Sequence, residues 1–413
     1  MLLGGAMLPL RERPFRLLWL SRVSSAAGDA LVPVALAFAV LSVDGSATAL
    51  GGVLAVTMLA RVAFTLAGGV VADRFPRRSV MLACNVVSAA VEAFTAAMLF
   101  THHMTLPIFF AAAALFGAAS AFFGPASDGL VPQTVSLANL RGANALLGIS
   151  RNSLNIFGPA VSGALIALAG TAWVFTIDAA SFVLSGFFLL QLRVVKHTRA
   201  ARSDFLREIR DGFSEVASRA WVRAPIVGFA ISNFCFAAFI VLGPPIFIRH
   251  FDGARAWGFV SACGAIGAIV GGLASVRFRP RRPLSVGFVV SILISVPIAA
   301  LAGPLPAVAI AASWGIGMGA VAVSNVWWET TLQRDIPQTV YARVRSYDIL
   351  VSFVFMPLGF VAFPLIARGI GESQTLLAAA ALGAATNLLV AFVPGVHAVT
   401  EQPATAVRSV RAA

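Results

Sequence analysis

Six carboxylates and three guanidinium groups stand inside runs of apolar sequence: Asp29, Glu92, Asp128, Asp178, Glu329 and Asp348 against Arg22, Arg61 and Arg151. A charge at mid-bilayer costs about 2.5–3.5 kcal/mol on insertion scales, so an ionisable residue kept there marks an ion path, a proton relay or a buried pair. Acids outnumber cations, and desolvation favours the proton-bound form of a carboxylate left without a basic partner. Asp29, four residues before Pro33 and near the middle of its run, is the first candidate for such a proton carrier. Glu329 and Asp348 stand toward the ends of their runs, where a side chain snorkels to water. Arg61 is the deepest cation. It and Arg151 either neutralise an acid on another helix or present positive charge to an anionic cargo. Arg22 and Asp29 share a helix face but lie about 10 Å apart along the axis, too far to pair directly. Trp327 and Trp328, just ahead of Glu329, offer faces for a flat or cationic ligand; the competing reading is interfacial anchoring. No H-E-x-x-H stretch or nucleotide-binding loop is present, and the three cysteines are scattered, so metal binding, ATP drive and a disulfide framework are not expected.

The elements that position these groups follow from composition. The 413-residue chain is 59% hydrophobic and 11% charged, with a mean hydropathy of +0.89, against about 45–50% apolar and about 25% charged in a soluble domain. That excludes a water-soluble enzyme and a disordered chain. The net charge of +13 does not indicate nucleic acid, because the basic residues sit in short gaps between apolar runs. A bilayer core of about 30 Å takes roughly 20 apolar residues per helix, and continuous runs leave helices as the only solution. Twelve runs are present, near 16–42, 47–72, 79–100, 105–131, 143–169, 171–194, 225–248, 256–276, 284–302, 306–333, 346–367 and 373–394. The expected fold is an all-α membrane protein of twelve transmembrane helices, two pseudo-symmetric six-helix bundles around a central cavity. The bundles are expected over 1–194 and 225–395, joined by a charged cytoplasmic loop over 195–224 and followed by a tail over 396–413. Within the loop, Phe205 to Phe213 has the spacing of an amphipathic surface helix.

Arginine placement sets the expected orientation. With the N-terminus inside, inner segments hold 24 basic residues and outer segments 3. Both termini are therefore expected in the cytoplasm. The halves also resemble each other: Gly68-Gly69 to Arg77-Arg78 ends the second run and Gly271-Gly272 to Arg281-Arg282 ends the eighth, while Pro132-Gln133-Thr134-Val135 matches Pro337-Gln338-Thr339-Val340. The offsets, 204 and 205 residues, are close to half the chain. Parallel repeats of this kind place a cavity between the halves.

Gly69-x-x-Ala72-Asp73-Arg74-x-Pro76-Arg77-Arg78-x-x-x-Leu82 resembles the signature G-x-L-A-D-R-x-G-R-K-x-x-x-L of the major facilitator superfamily, with Val71 for Leu and Pro76 for the turn Gly. The resemblance implies a conformational latch in which Asp73 meets the start of helix 11 and Arg77 pairs with an acid at the end of helix 4, here Asp128. Arg74, Arg77 and Arg78 also read simply as topology markers. Arg16-x-x-Trp19-Leu20, Ser25-x-x-Gly28-Asp29, Pro125-Ala126, Leu130-Val131-Pro132 and Thr331-Leu332-Gln333 resemble the branch containing macrolide efflux proteins and the enterobactin exporter. Gly158-Pro159-x-x-x-Gly163 is similar to the exporters' antiporter motif with altered spacing, and reads equally as close helix packing.

In that superfamily helices 1, 4, 7 and 10 line the cavity and helices 3, 6, 9 and 12 support it. This implies that Glu92 and Asp178 pack against polar neighbours. The expectation is a monomeric secondary transporter in the cytoplasmic membrane, exporting amphipathic or lipophilic small molecules by alternating access, with lipid around it, no cofactor and the proton gradient as its energy source. The rival readings are a transporter of an anionic metabolite, siderophore or lysolipid, a membrane-embedded enzyme, and a sensor or scaffold that moves nothing.

Overall fold

A computed structural model of the chain describes residues 8–193, 214 and 216–401, without the side chains of Leu66, Gly69, Val70, Ala72, Asp73, Gln338, Thr339, Ala342 and Arg343. The expected loop helix from Phe205 to Phe213 and most of the C-terminal tail lie outside the described residues, as do the side chains of Gly69 and Asp73.

Among the described residues, twelve helices are long and apolar enough to cross a membrane. In chain order they are α1 (Arg13–Val43), α2 (Ala47–Arg74), α3 (Arg77–Phe100), α4 (Leu106–Thr134), α5 (Leu140–Ala169), α6 (Thr171–Gln191), α7 (Ala220–His250), α8 (Gly253–Arg277), α9 (Pro283–Ala300), α10 (Ala307–Asp335), α11 (Val344–Ile370) and α12 (Glu372–Ala391). The described residues hold no strand. Proline interrupts three spans, because it cannot donate to the carbonyl four residues back. Pro33 breaks α1 just after Asp29, Pro297 follows a 3₁₀ turn in α9, and Pro357 follows the break in α11 at Phe355. Pro76, in place of the signature glycine, takes φ −56° and ψ 118° as the cap of α3. The preceding Phe75 is extended, as a residue before proline must be.

Residue contacts divide the chain into two compact units. The first joins Met1–Ala201 with Pro244–Ala262, so the last turns of α7 and the first of α8 belong to it; the second joins Arg202–Gly243 with Cys263–Ala413. In the first unit α2 packs on α4, α6 packs on α1 and α3, and α3 packs on α4. Its Arg-rich end closes over Phe15, Leu18, Met81, Leu130 and Leu189. In the second unit α9 packs on α10 and α12, and Gly267 and Gly271 of α8 lie against the backbone of Gly315 and Gly319 on α10.

Lipid supplies no hydrophobic drive between helices, so close backbone approach at small residues carries the association. A Cβ on Gly158 of α5 would lie 2.6 Å from the Ala30 carbonyl oxygen of α1, and one on Gly359 of α11 would lie 2.7 Å from the Phe234 carbonyl oxygen of α7. The same inter-helix contact therefore occurs once in each unit, at matching places in the helix count.

Candidate functional site

Asp29 ends the first segment of α1, where Pro33 leaves its carbonyl without the usual donor and the chain turns through Ala30 and Leu31. Ser162 of α5 donates to the Leu31 carbonyl at 2.7 Å and holds the break open. The Asp29 side chain is exposed, and the guanidinium of Arg61 on α2 acts on it electrostatically. Behind it, Asp178 of α6 is completely buried and accepts from Ser181 at 3.1 Å. Asp178 and Ser181 press directly on Gly28, where any side chain would collide with them. Glu92 of α3 is 4% exposed. The charge of Asp29 acts on both Glu92 and Asp178. Three carboxylates from three helices thus share one electrostatic neighbourhood with Arg61. Among the described residues no group of three or more His, Cys, Asp or Glu is arranged to hold a metal ion.

On the other side of Gly28 and Ser181 lies a groove of about 490 Å³ between α1, α5 and α6. Its lining is almost wholly apolar, with Leu31, Phe157, Val161 and Leu184 as walls and Ser24 and Ser181 as its polar points. Gly28 and Ser181 are therefore common to the acid cluster and the groove.

In the second unit the acids are paired. Arg345 of α11 forms ion pairs with Glu329 of α10 and with Asp348 one turn on. Asp348, 2% exposed, also accepts from Trp328 Nε1 at 3.0 Å and Ser352 Oγ at 3.3 Å. Both indoles are buried: Trp328 packs edge-on against Trp221 and Phe229, and Trp327 donates to the Ser275 carbonyl at 3.3 Å. The helix interior occupies both rings.

The signature arginines act on helix ends. Arg78 donates to the last carbonyls of α6, Leu189 at 2.7 Å and Leu190 at 2.8 Å, and Arg77 donates to the Gly129 carbonyl of α4. The Arg77 guanidinium lies where a side chain at Gly129 would be, so the glycine leaves it room. Cations there offset the negative end of the helix dipole. Asp128, the expected partner of Arg77, accepts from Arg22 of α1 at 3.1 Å, and Arg74 is exposed. Arg151 is exposed on α5, its charge acting on Arg22. In the motif on α5, a Cβ on Gly163 would stand 2.6 Å from the Ala254 carbonyl of α8, and one on Gly258 would stand 2.6 Å from the Pro159 carbonyl.

Three contributors escape sequence reasoning. Asp178 packs against a polar neighbour as expected, but Glu92 and Asp178 also feel the charge of Asp29; their signal is that Asn85, Ser88 and Glu92, and likewise Asp178, Ser181 and Ser185, each fall on one helix face. Arg345 reads as a loop cation marking topology, but the helix begins before it and carries it over Glu329.

Two compact units with matching helix contacts, membrane-length spans and acids within them define a polytopic helical membrane protein of the duplicated transporter class. The family model described as Major Facilitator Superfamily matches residues 18–347, and the chain belongs to that superfamily. It is similar to the multidrug efflux pump Tap of Mycobacterium tuberculosis, 24% identical over 93% of this chain and 94% of the relative. It is also similar to macrolide efflux protein A of Streptococcus pyogenes, 24% identical over 88% of this chain and 91% of the relative. Among solved structures, the nucleoside transporter NupG superposes with a TM-score of 0.72 at 15% identity, covering 91% of this chain and 98% of that one. An inward-facing bacterial homolog of the human lysosomal transporter Spinster gives 0.73 at 16% identity, covering 96% and 99%. The fold and the relatives are those of transporters, not enzymes, and the protein is integral to a membrane.

Proposed function

We propose that this chain is a monomeric secondary transporter of the cytoplasmic membrane that exports amphipathic or lipophilic small molecules in exchange for protons. Both termini then face the cytoplasm, a placement the arginine distribution supports. The observation that carries the reading is Asp29: an acid at a proline break in α1, exposed, faced by Arg61 and backed by two further carboxylates. An ionisable group held at that depth has no packing value and marks an ion path. The apolar groove that shares Gly28 and Ser181 with the cluster supports a lipophilic cargo, and near full-length similarity to efflux pumps supports export.

In this mechanism Asp29 alternates between a proton and its pairing with Arg61, and cargo binding favours one of the two. The latch that the signature resemblance implies at Asp73 sets which conformation rests. Gradient-driven efflux across a compound panel in sealed vesicles tests the reading, with Asp29→Asn as the comparison. Substrate counterflow in the wild type and loss of uphill efflux in the variant are expected; full gradient-driven efflux by the variant removes Asp29 from coupling. For the latch, Asp73→Asn is expected to shift the distance distribution between the ends of α2 and α11 measured with spin labels. An unchanged distribution sinks it.

A further inference from the structure

Small and polar residues form a seam where α6 packs on α1 and α3. On α1 it comprises Ser21, Ser25 and Gly28, on α3 Asn85, Ser88 and Glu92, and on α6 Asp178, Ser181 and Ser185. At one end Ser185 accepts from Asn85 Nδ2 at 2.8 Å and shares a 2.8 Å hydrogen bond with Ser21. At the other end Ser181 donates to one oxygen of Asp178, and Asp29 lies beside it on α1. The elements packed around this seam bring few other charges. They are Arg61 from α2, acting on Asp29; Arg22 from α1, paired with Asp128 of α4; and Arg151 from α5, acting on Arg22. Cys84 of α3, next to Asn85 in the chain, is buried. Among the described residues, the charged groups acting on Glu92 and Asp178 are carboxylates only.

Three oxygens in the seam lack a hydrogen-bond partner, the neutral amide oxygen Asn85 Oδ1 and two carboxylate oxygens. Glu92 Oε2 and Asp178 Oδ2 are buried and have no hydrogen-bond partner, on side chains 4% and 0% exposed. An ionised carboxylate without a partner in a low-dielectric interior is too costly to keep, and such a group neutralises itself by taking a proton. A protonated carboxyl also gains a donor, which an ionised one lacks. Charge balance gives the count. Three ionised carboxylates and one guanidinium leave two negative charges in excess, and two protons remove them.

We infer that Asp29, Glu92 and Asp178 form a two-proton site inside the first unit, with Glu92 and Asp178 each carrying a proton in this structure and Asp29, the exposed member, exchanging protons with water. The inference deepens the export reading and rests on it for its role in coupling: the protons exchanged for cargo are held between α1, α3 and α6, of which the resemblance assigns α3 and α6 to support. The paired acids of the second unit, Glu329 and Asp348, are spent on Arg345. The three carboxyls titrate as one coupled group, so their apparent steps belong to the cluster.

Infrared spectroscopy of the purified protein in a maltoside detergent, which has no carbonyl of its own, at neutral pH tests the occupancy directly, because a protonated carboxyl has a C=O band that a carboxylate lacks. The wild type is expected to show the band, and Glu92→Gln and Asp178→Asn are each expected to remove about half of it. Both variants keep a neutral, hydrogen-bonding side chain, which is the state assigned to the wild type. No band in the wild type, or a band of undiminished size in both variants, overturns the site. If neither variant folds, a wild-type band that persists at neutral pH and disappears in alkali supports the site, and its absence refutes it. A second measurement addresses coupling: the proton-to-substrate ratio of reconstituted wild type is expected to fall by one in Glu92→Gln, and an unchanged ratio refutes the role in exchange. Absence of any substrate counterflow in the wild type, by contrast, sinks the export reading and leaves the infrared result standing on its own.

Discussion

Arg22 on α1 donates to Asp128 on α4 at 3.1 Å, tying together helices whose residues lie 106 positions apart. Arg22, too far along α1 to pair with Asp29, is taken up by Asp128, and Arg61 is the cation that acts on Asp29. Arg22 is mostly buried, but Asp128 is 77% exposed, so water screens the attraction. Exposed pairs contribute about 0–1 kcal/mol. Asp128→Asn is therefore expected to shift thermal unfolding in detergent by less than the equivalent of about 1 kcal/mol. A loss several times larger would mean that the carboxylate holds a buried network.

Close packing at Gly158 makes a sharper prediction. An added Cβ would stand 2.5 Å from Ala30 Cβ and 2.6 Å from the Ala30 oxygen, both on the fixed helix α1. Neither neighbour is a flexible tip, so α5 must move, and overpacking of this kind costs about 1–3 kcal/mol. Gly148, on the same helix, has nothing within 4 Å. Gly158→Ala is expected to lower the melting temperature clearly, while Gly148→Ala leaves it unchanged or raises it, since alanine is favoured over glycine in a helix by about 1 kcal/mol. Equal behaviour of the two variants would refute the contact.

Trp328 and Asp348 are both buried, and the indole N–H at 3.0 Å is one of three donors to that carboxylate. Trp328→Phe keeps most of the ring's packing and removes the donor. Arg345 and Ser352 remain, so the expected cost is about 1 kcal/mol, the lower end for a buried group that loses one partner. Trp327, whose N–H reaches a carbonyl at 3.3 Å, is expected to cost less when replaced by Phe. A double-mutant cycle of Trp328→Phe with Asp348→Asn should be non-additive, as residues in contact are. Additive losses in the two single variants would break the assignment.

The twelve spans were legible because continuous apolar runs separated by arginine admit only helices, and helix ends fall within a few residues of the runs. The repeat was legible too, since Pro132 and Pro337 mark equivalent turns. Partners were not. Sequence shows that Asp29, Glu92 and Asp178 lie in different spans, but which faces meet depends on how α1, α3 and α6 pack. Arg345 shows the same limit from the other side. Counted with the loops because its apolar run starts after it, it lies within α11, one turn before Asp348, and its charge is taken up by two acids of the helix interior. The signature arginines were legible as cations at one membrane face, whereas their work on the carbonyls of α4 and α6 needed the helix ends to be placed.

Glu12, the residue ahead of α1, ties that helix to the turn between α4 and α5. Its carboxylate accepts from Ser136 N, Ser136 Oγ and Asn139 Nδ2, each at 2.8 Å. These hydrogen bonds, that of Asn139 foremost, hold the acid below the ordinary glutamate value of 4.5. A depressed value in the folded protein means that the stabilisation is fully present above the ordinary value and is lost as pH falls through the depressed one. Glu12 is only half-buried, so solvent limits the contribution to less than about 1 kcal/mol. Glu12→Gln is therefore expected to be slightly less stable than the wild type at neutral pH, with the gap closing as the pH drops below 4.5. Thermal unfolding of both proteins across a pH series in detergent measures the gap. A difference that stays constant, or widens in acid, would show that the carboxylate's charge does not hold α1 to the turn.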